Sequence, residues 1–87
     1  MRYGIYAMRD DKVGFLAPAI DASDACAMRS FGDAISNPDG LPGLHPADFS
    51  LYRVGEYDTD SGHIIGLDAP AYLCCGSDFR HDRGAEQ

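Results

Sequence analysis

The segment Asn37-Pro38-Asp39-Gly40-Leu41-Pro42-Gly43-Leu44-His45-Pro46-Ala47-Asp48-Phe49 constrains this chain most. Proline donates no backbone N–H and disfavours helical backbone in the residue before it. With Pro38, Pro42 and Pro46 so close together, neither a long helix nor a β-ladder can run through. The segment therefore separates a helix-patterned half from a strand-patterned half. Pro38-Asp39-Gly40 is a turn signal, and His45-Pro46-Ala47-Asp48 predicts a tight turn feeding the next strand. Leu41 and Leu44 are expected to clip the loop onto the core.

Before the segment, Arg2 to Met8 reads as a strand, with Tyr3, Ile5 and Ala7 on one face and Gly4, Tyr6 and Met8 on the other. Arg9 to Lys12 is a polar reversal, and Val13 to Ile20 is a second extended run, which makes a hairpin. Pro18 puts part of that run at an edge or a strand end. Asp21 or Ser23 caps a helix that runs to about Ser36. Its apolar stripe is Ala25, Met28, Phe31 and Ile35.

After the segment, Phe49 to Asp58 reads as the strongest strand, with Gly55 as a bulge or close contact. Thr59 to Gly62 is a hairpin turn, with Gly62 suited to positive φ. His63 to Leu67 returns as a strand. The expectation is an α+β domain in ββαββ order: a small antiparallel or mixed sheet with one helix on a face. Residues 1–75 form that domain, and residues 76–87 read as a loose polar tail.

At 87 residues the chain makes one domain with a modest core, which self-association would extend. A homodimer is expected on that ground. The formal net charge is −7, the wrong sign for coating duplex DNA, where counterion release from phosphates drives affinity. Single-strand binding stays open, because aromatic stacking supplies part of its affinity. No apolar run is long enough to span a bilayer, and the start is too quickly polar for a signal peptide. With three cysteines, an odd number, no secreted disulfide framework is indicated. No membrane association and a cytoplasmic location are expected.

Catalytic signals are weak. Nucleotide-loop and zinc-protease motifs are absent. Cys74 and Cys75 are adjacent rather than spaced by two to four residues, so a zinc site with His63 and His81 is poorly matched. Glu56, Asp58 and Asp60 share one side of an extended strand, but acidic hairpin turns are common for local hydrogen-bonding reasons. Pairings of Cys26, Ser23 or a late cysteine with His45, His63 or His81 carry no spacing signal. Neither an enzyme nor a cofactor is expected.

The tyrosines are the stronger candidates. Tyr3 and Tyr6 fall on opposite faces of the first strand, and Tyr52 and Tyr57 on opposite faces of the third. Each strand then exposes one tyrosine. These can stack single-stranded bases beside arginines, or cover a dimer interface, where tyrosine is also favoured. The candidate contact set is Arg2, Tyr6, Arg9, Lys12, Tyr52 and Arg53.

Three short runs and one long one carry a family resemblance. They are Met1-Arg2-Tyr3-Gly4-Ile5-Tyr6-Ala7, Gly14-Phe15-Leu16-Ala17-Pro18, Ala34-Ile35-Ser36-Asn37, and His45-Pro46-Ala47-Asp48-Phe49-Ser50-Leu51-Tyr52-Arg53-Val54-Gly55-Glu56-Tyr57-Asp58. Over roughly residues 1–67 the chain resembles the small nonstructural protein of gokushoviruses, single-stranded DNA bacteriophages of the Microviridae. The resemblance implies a non-capsid accessory protein. It would act inside the infected cell around single-stranded genome synthesis or packaging, on DNA or on a phage or host replication protein. It supplies no catalytic residues.

Overall fold

A computed structural model describes residues 1–79. The elements are β1 (Arg2–Asp10), β2 (Gly14–Phe15), β3 (Ala19–Asp21), α1 (Asp24–Ser36), α2 (Leu41–Leu44), a 3-10 turn (Pro46–Asp48), β4 (Phe49–Asp58) and β5 (Ile64–Cys75). Residues 76–79 are helical. The fold is α+β. All strand pairings are antiparallel, in the order β2-β1-β4-β5, with β3 also pairing β1.

The expected second strand is broken in two. Its halves, β2 and β3, both run along β1, and Leu16 to Pro18 between them is unassigned. Pro18 has no N–H for the ladder, and Gly14 turns at φ 118°. The last strand is longer than expected. Past Leu67 it continues through Ala71–Cys75, which pair with Ser50 to Arg53. Leu67 to Pro70 bulge out between the two paired stretches, so Pro70 sits where no ladder bond is needed. Gly62 closes the β4–β5 turn at φ 77°, as its position predicts.

Ser23 caps α1, its hydroxyl accepting from the Cys26 N–H at 3.2 Å. The buried stripe is Ala27, Phe31, Gly32 and Ile35, with Met28 packed beside it, while Ala25 is exposed. The stripe meets Tyr6, Phe49, Leu51 and Cys74 from the sheet. Ile35 and Phe49 are the largest fully buried side chains, each stabilising by about 1.5–3 kcal/mol. Leu41 and Leu44 are exposed rather than clipped to the core. Gly43 holds that loop instead: a Cβ there would run into the Asn37 carbonyl oxygen. The loop closes by backbone approach, which leucine side chains cannot provide.

The start of the expected polar tail belongs to the packed structure. The Phe79 ring lies edge-on to Phe31 at 5.7 Å and rests on Gly32, where a Cβ would come within 2.8 Å of it. That contact explains a glycine in mid-helix. Residues 80–87 lie outside the described residues.

Candidate nucleic-acid interface

Register assigns every paired strand residue to a face, because directly opposite residues point the same way. On β1, Gly4, Tyr6, Met8 and Asp10 point toward α1. Their partners on β4 are Glu56, Arg53, Leu51 and Phe49. Between Tyr6 and Ile5 the β4 partner jumps from Arg53 to Gly55, leaving Val54 as the extra residue of a bulge. The bulge resets the alternation. Tyr52, opposite Ala7, and Tyr57, opposite Tyr3, therefore share the face away from the helix, against the opposite-face expectation from their spacing.

That open face carries an aromatic row. Phe15 of β2 meets Tyr52 of β4 edge-on at 5.2 Å, and Tyr52 meets Tyr72 of β5 edge-on at 5.7 Å. Ala7, opposite Tyr52 on the intervening strand, is small and buried. The row ends are open to solvent, with Phe15 46% and Tyr72 57% exposed. The Arg9 guanidinium lies over the Phe15 ring, 5.9 Å from its centre. It also pairs with Asp11 at 2.9 Å, an exposed contact worth little that another anion can displace. Lys12 is exposed in the adjoining turn. At the other end, burial and the nearby Asp78 carboxylate raise the Tyr72 phenol above its usual pKa.

Charge divides between the faces. Among the described residues, Arg9 is the one charged side chain at a register-paired open-face position. The paired strand carboxylates Asp10, Asp21, Glu56 and Asp58 all point to the helix side. The acidity of the sheet is thus kept off the aromatic row.

The candidate contact set is split by this division. Arg9 and Tyr52 are on the open face, with Lys12 beside it. Arg2, Tyr6 and Arg53 are on the helix side. Tyr6 is a core residue, 4% exposed, and cannot stack a base as expected. Its ring leans over Gly4, in space a Cβ would occupy, and its hydroxyl donates to Asp24 Oδ1 at 2.5 Å. Burial, then the Asp24 hydrogen bond, push its phenol up to about 12. Arg53 lies 6.0 Å over the Tyr6 ring and donates to Asp24 Oδ1 at 3.2 Å and Glu56 Oε2 at 3.1 Å. Arg2 donates to Glu56 Oε1 at 3.0 Å. These side chains tie the start of α1 to β1 and β4, although the Arg53 Nε is buried without a hydrogen-bond partner and the Arg2 side chain stays exposed.

Phe15 and Tyr72 were missed by sequence reasoning. Phe15 had a usable signal, since a hairpin through Asp10 to Val13 sets it near Arg9. Tyr72 had none, because its register depends on the Leu67 to Pro70 bulge. The cysteines form no site. Cys74 is buried in the core, and burial pushes its thiol up to about 11. No cluster of His, Cys, Asp or Glu able to hold a metal ion occurs among the described residues. No described helix is long and apolar enough to cross a membrane.

The family model for the phage ORF5 protein matches residues 3–79. The chain belongs to the phage ORF5 protein family. No curated protein and no solved structure matches it. Its match ends at Phe79, the residue that packs on Phe31, so it spans the helical turn after β5 as well as the sheet.

Proposed function

We propose that this phage ORF5 family member is a non-enzymatic accessory protein of the gokushovirus type, acting in the host cytoplasm around synthesis or packaging of viral single-stranded DNA. Its part there is direct, low-affinity binding of single-stranded DNA on the open sheet face. The observation that carries this reading is the row Phe15–Tyr52–Tyr72, open at both ends and flanked by Arg9. Bases of any sequence have a π-face to offer such a row, and each stacked base contributes about 1–3 kcal/mol. The paired strand carboxylates lie on the opposite face, which lets a net acidic protein meet a polyanion there.

Titration of labelled single- and double-stranded oligonucleotides at low salt tests the reading. Preference for single strands that weakens on Tyr72→Ala substitution supports it. Equal or absent binding to both rejects it.

A second reading rests on Ile20 and Ile64, 49% and 71% exposed on the same face. They favour a homodimer or a replication protein of phage or host as the occupant, in a protein-interaction module without DNA contact. Oligomeric mass in the same buffer distinguishes this reading: a stable dimer unaffected by oligonucleotide and dissociated by Ile64→Asp favours it.

A further inference from the structure

The aromatic row is electrically asymmetric, and the asymmetry sets how a strand would lie on it. At the Phe15 end are Arg9, against the ring and paired with the exposed Asp11 at 2.9 Å, and Lys12 in the adjoining turn, two cations against one carboxylate. At the Tyr72 end is Asp78, whose carboxylate is close enough to raise the Tyr72 phenol pKa and accepts the Cys75 N–H at 3.0 Å. The remaining cations of the strands, Arg2 and Arg53, are on the other face, where they pair with Glu56 and Asp24. Phosphate contacts are thus available at one end of the row and disfavoured at the other.

Resting on the single-strand reading, we infer that each protomer takes a footprint of only about two or three nucleotides, the number of bases that a few sheet aromatics stack. The phosphates pass on the Arg9–Lys12 side, and the last base is held at Tyr72 without a phosphate contact. The ligand class is a short, sequence-tolerant single-stranded segment, such as a strand end or an exposed gap. It is not a long tract wrapped along a basic groove.

Two consequences separate this mode from groove binding. With one or two phosphates contacted, the salt slope for a single strand is about −0.7 per phosphate. Affinity then falls by less than about tenfold between 50 and 200 mM salt. Affinity per binding site also stops rising once the oligonucleotide exceeds the footprint.

The experiment is fluorescence-anisotropy titration of the full chain with labelled dT2, dT4, dT8 and dT16 across that salt range. Arg9→Gln, Lys12→Gln, Asp78→Asn and Arg29→Gln variants follow, Arg9 being half-buried and the other three exposed. The inference expects per-site affinity to level off by dT4 and a shallow slope. Arg9→Gln or Lys12→Gln should flatten the slope by about 0.7. Asp78→Asn should tighten binding a few-fold, and Arg29→Gln, on the helix, should change nothing.

Single-strand binding with a slope steeper than about −3, or with affinity still rising from dT8 to dT16 per site, overturns the short polar footprint and leaves the single-strand reading standing. A loss on Arg29→Gln equal to that on Arg9→Gln does the same. Binding to none of these probes at the lowest salt overturns both.

Discussion

The two faces of one sheet solve opposite problems. The helix side buries Tyr6, Leu51, Phe49 and Cys74 under α1, and its two arginines are tied into Arg53–Asp24, Arg53–Glu56 and Arg2–Glu56 pairs. The open side has more aromatic rings per strand, no described helix over it, and Arg9 as its charged paired residue. The two tyrosines Tyr6 and Tyr52 make the contrast concrete. Tyr6 satisfies its hydroxyl with Asp24 and is sealed in, whereas Tyr52 meets two other rings and stays partly accessible. An aromatic residue on a strand is therefore not a binding residue by type. Which side of the bulge and of the sheet it falls on decides.

The sharpest way to break the contrast is truncation on each face. Ile35→Ala or Phe49→Ala should destabilise by about 2–5 kcal/mol, read from urea denaturation, because each leaves a cavity in the layer between α1 and the sheet. Phe15→Ala should cost less than about 1 kcal/mol, since that ring is already half in water. Equal losses would mean that the open face is core.

Phe79→Ala should cost about 1–2 kcal/mol in the same assay through its lost contact with Phe31 and Gly32. A neutral result would detach residues 76–79 from the fold.

The third test is pH. The Tyr6 phenol is raised to about 12 by burial and by Asp24, against an unfolded value near 10. The folded state therefore holds that proton more tightly. The contribution is fully present below pH 10 and is lost as pH rises through about 12. Thermal melts should fall across that window for the wild type, and less steeply for Tyr6→Phe, which has no proton to lose.

The smallest effect on stability should come from Tyr72→Ala, within about 0.5 kcal/mol, while single-strand affinity drops by one stacking contact of about 1–3 kcal/mol. Stability loss without affinity loss would invert the assignment of the faces.

Much of the scaffold was legible in the sequence. The ββαββ order, the Ser23 cap and the Gly62 turn follow from local chemistry that tertiary contacts did not override. Facing was not legible. Period-two counting puts Tyr52 and Tyr57 on opposite sides, and a single extra residue at Val54 puts them on one. Tyr72 and Phe79 were hidden for a related reason. The stretch after Leu67 loses its alternation because Leu67 to Pro70 leave the ladder, so the last strand is expected to stop at Leu67, and Phe79, which packs against the core, reads as tail. For the candidate site, Arg9, Lys12 and Tyr52 were within reach of hairpin reasoning. Tyr6, Arg2 and Arg53 lie on the helix side, and only the helix position tells which face that is.

The most direct test of the aromatic row as the DNA contact is an NMR titration of the labelled protein with a short dT oligonucleotide. Shifts confined to Arg9, Lys12, Phe15, Tyr52 and Tyr72 are expected, with Tyr6, Phe31 and Arg53 unmoved. Shifts centred on Arg53 and Asp24, or none at saturating oligonucleotide, would contradict it.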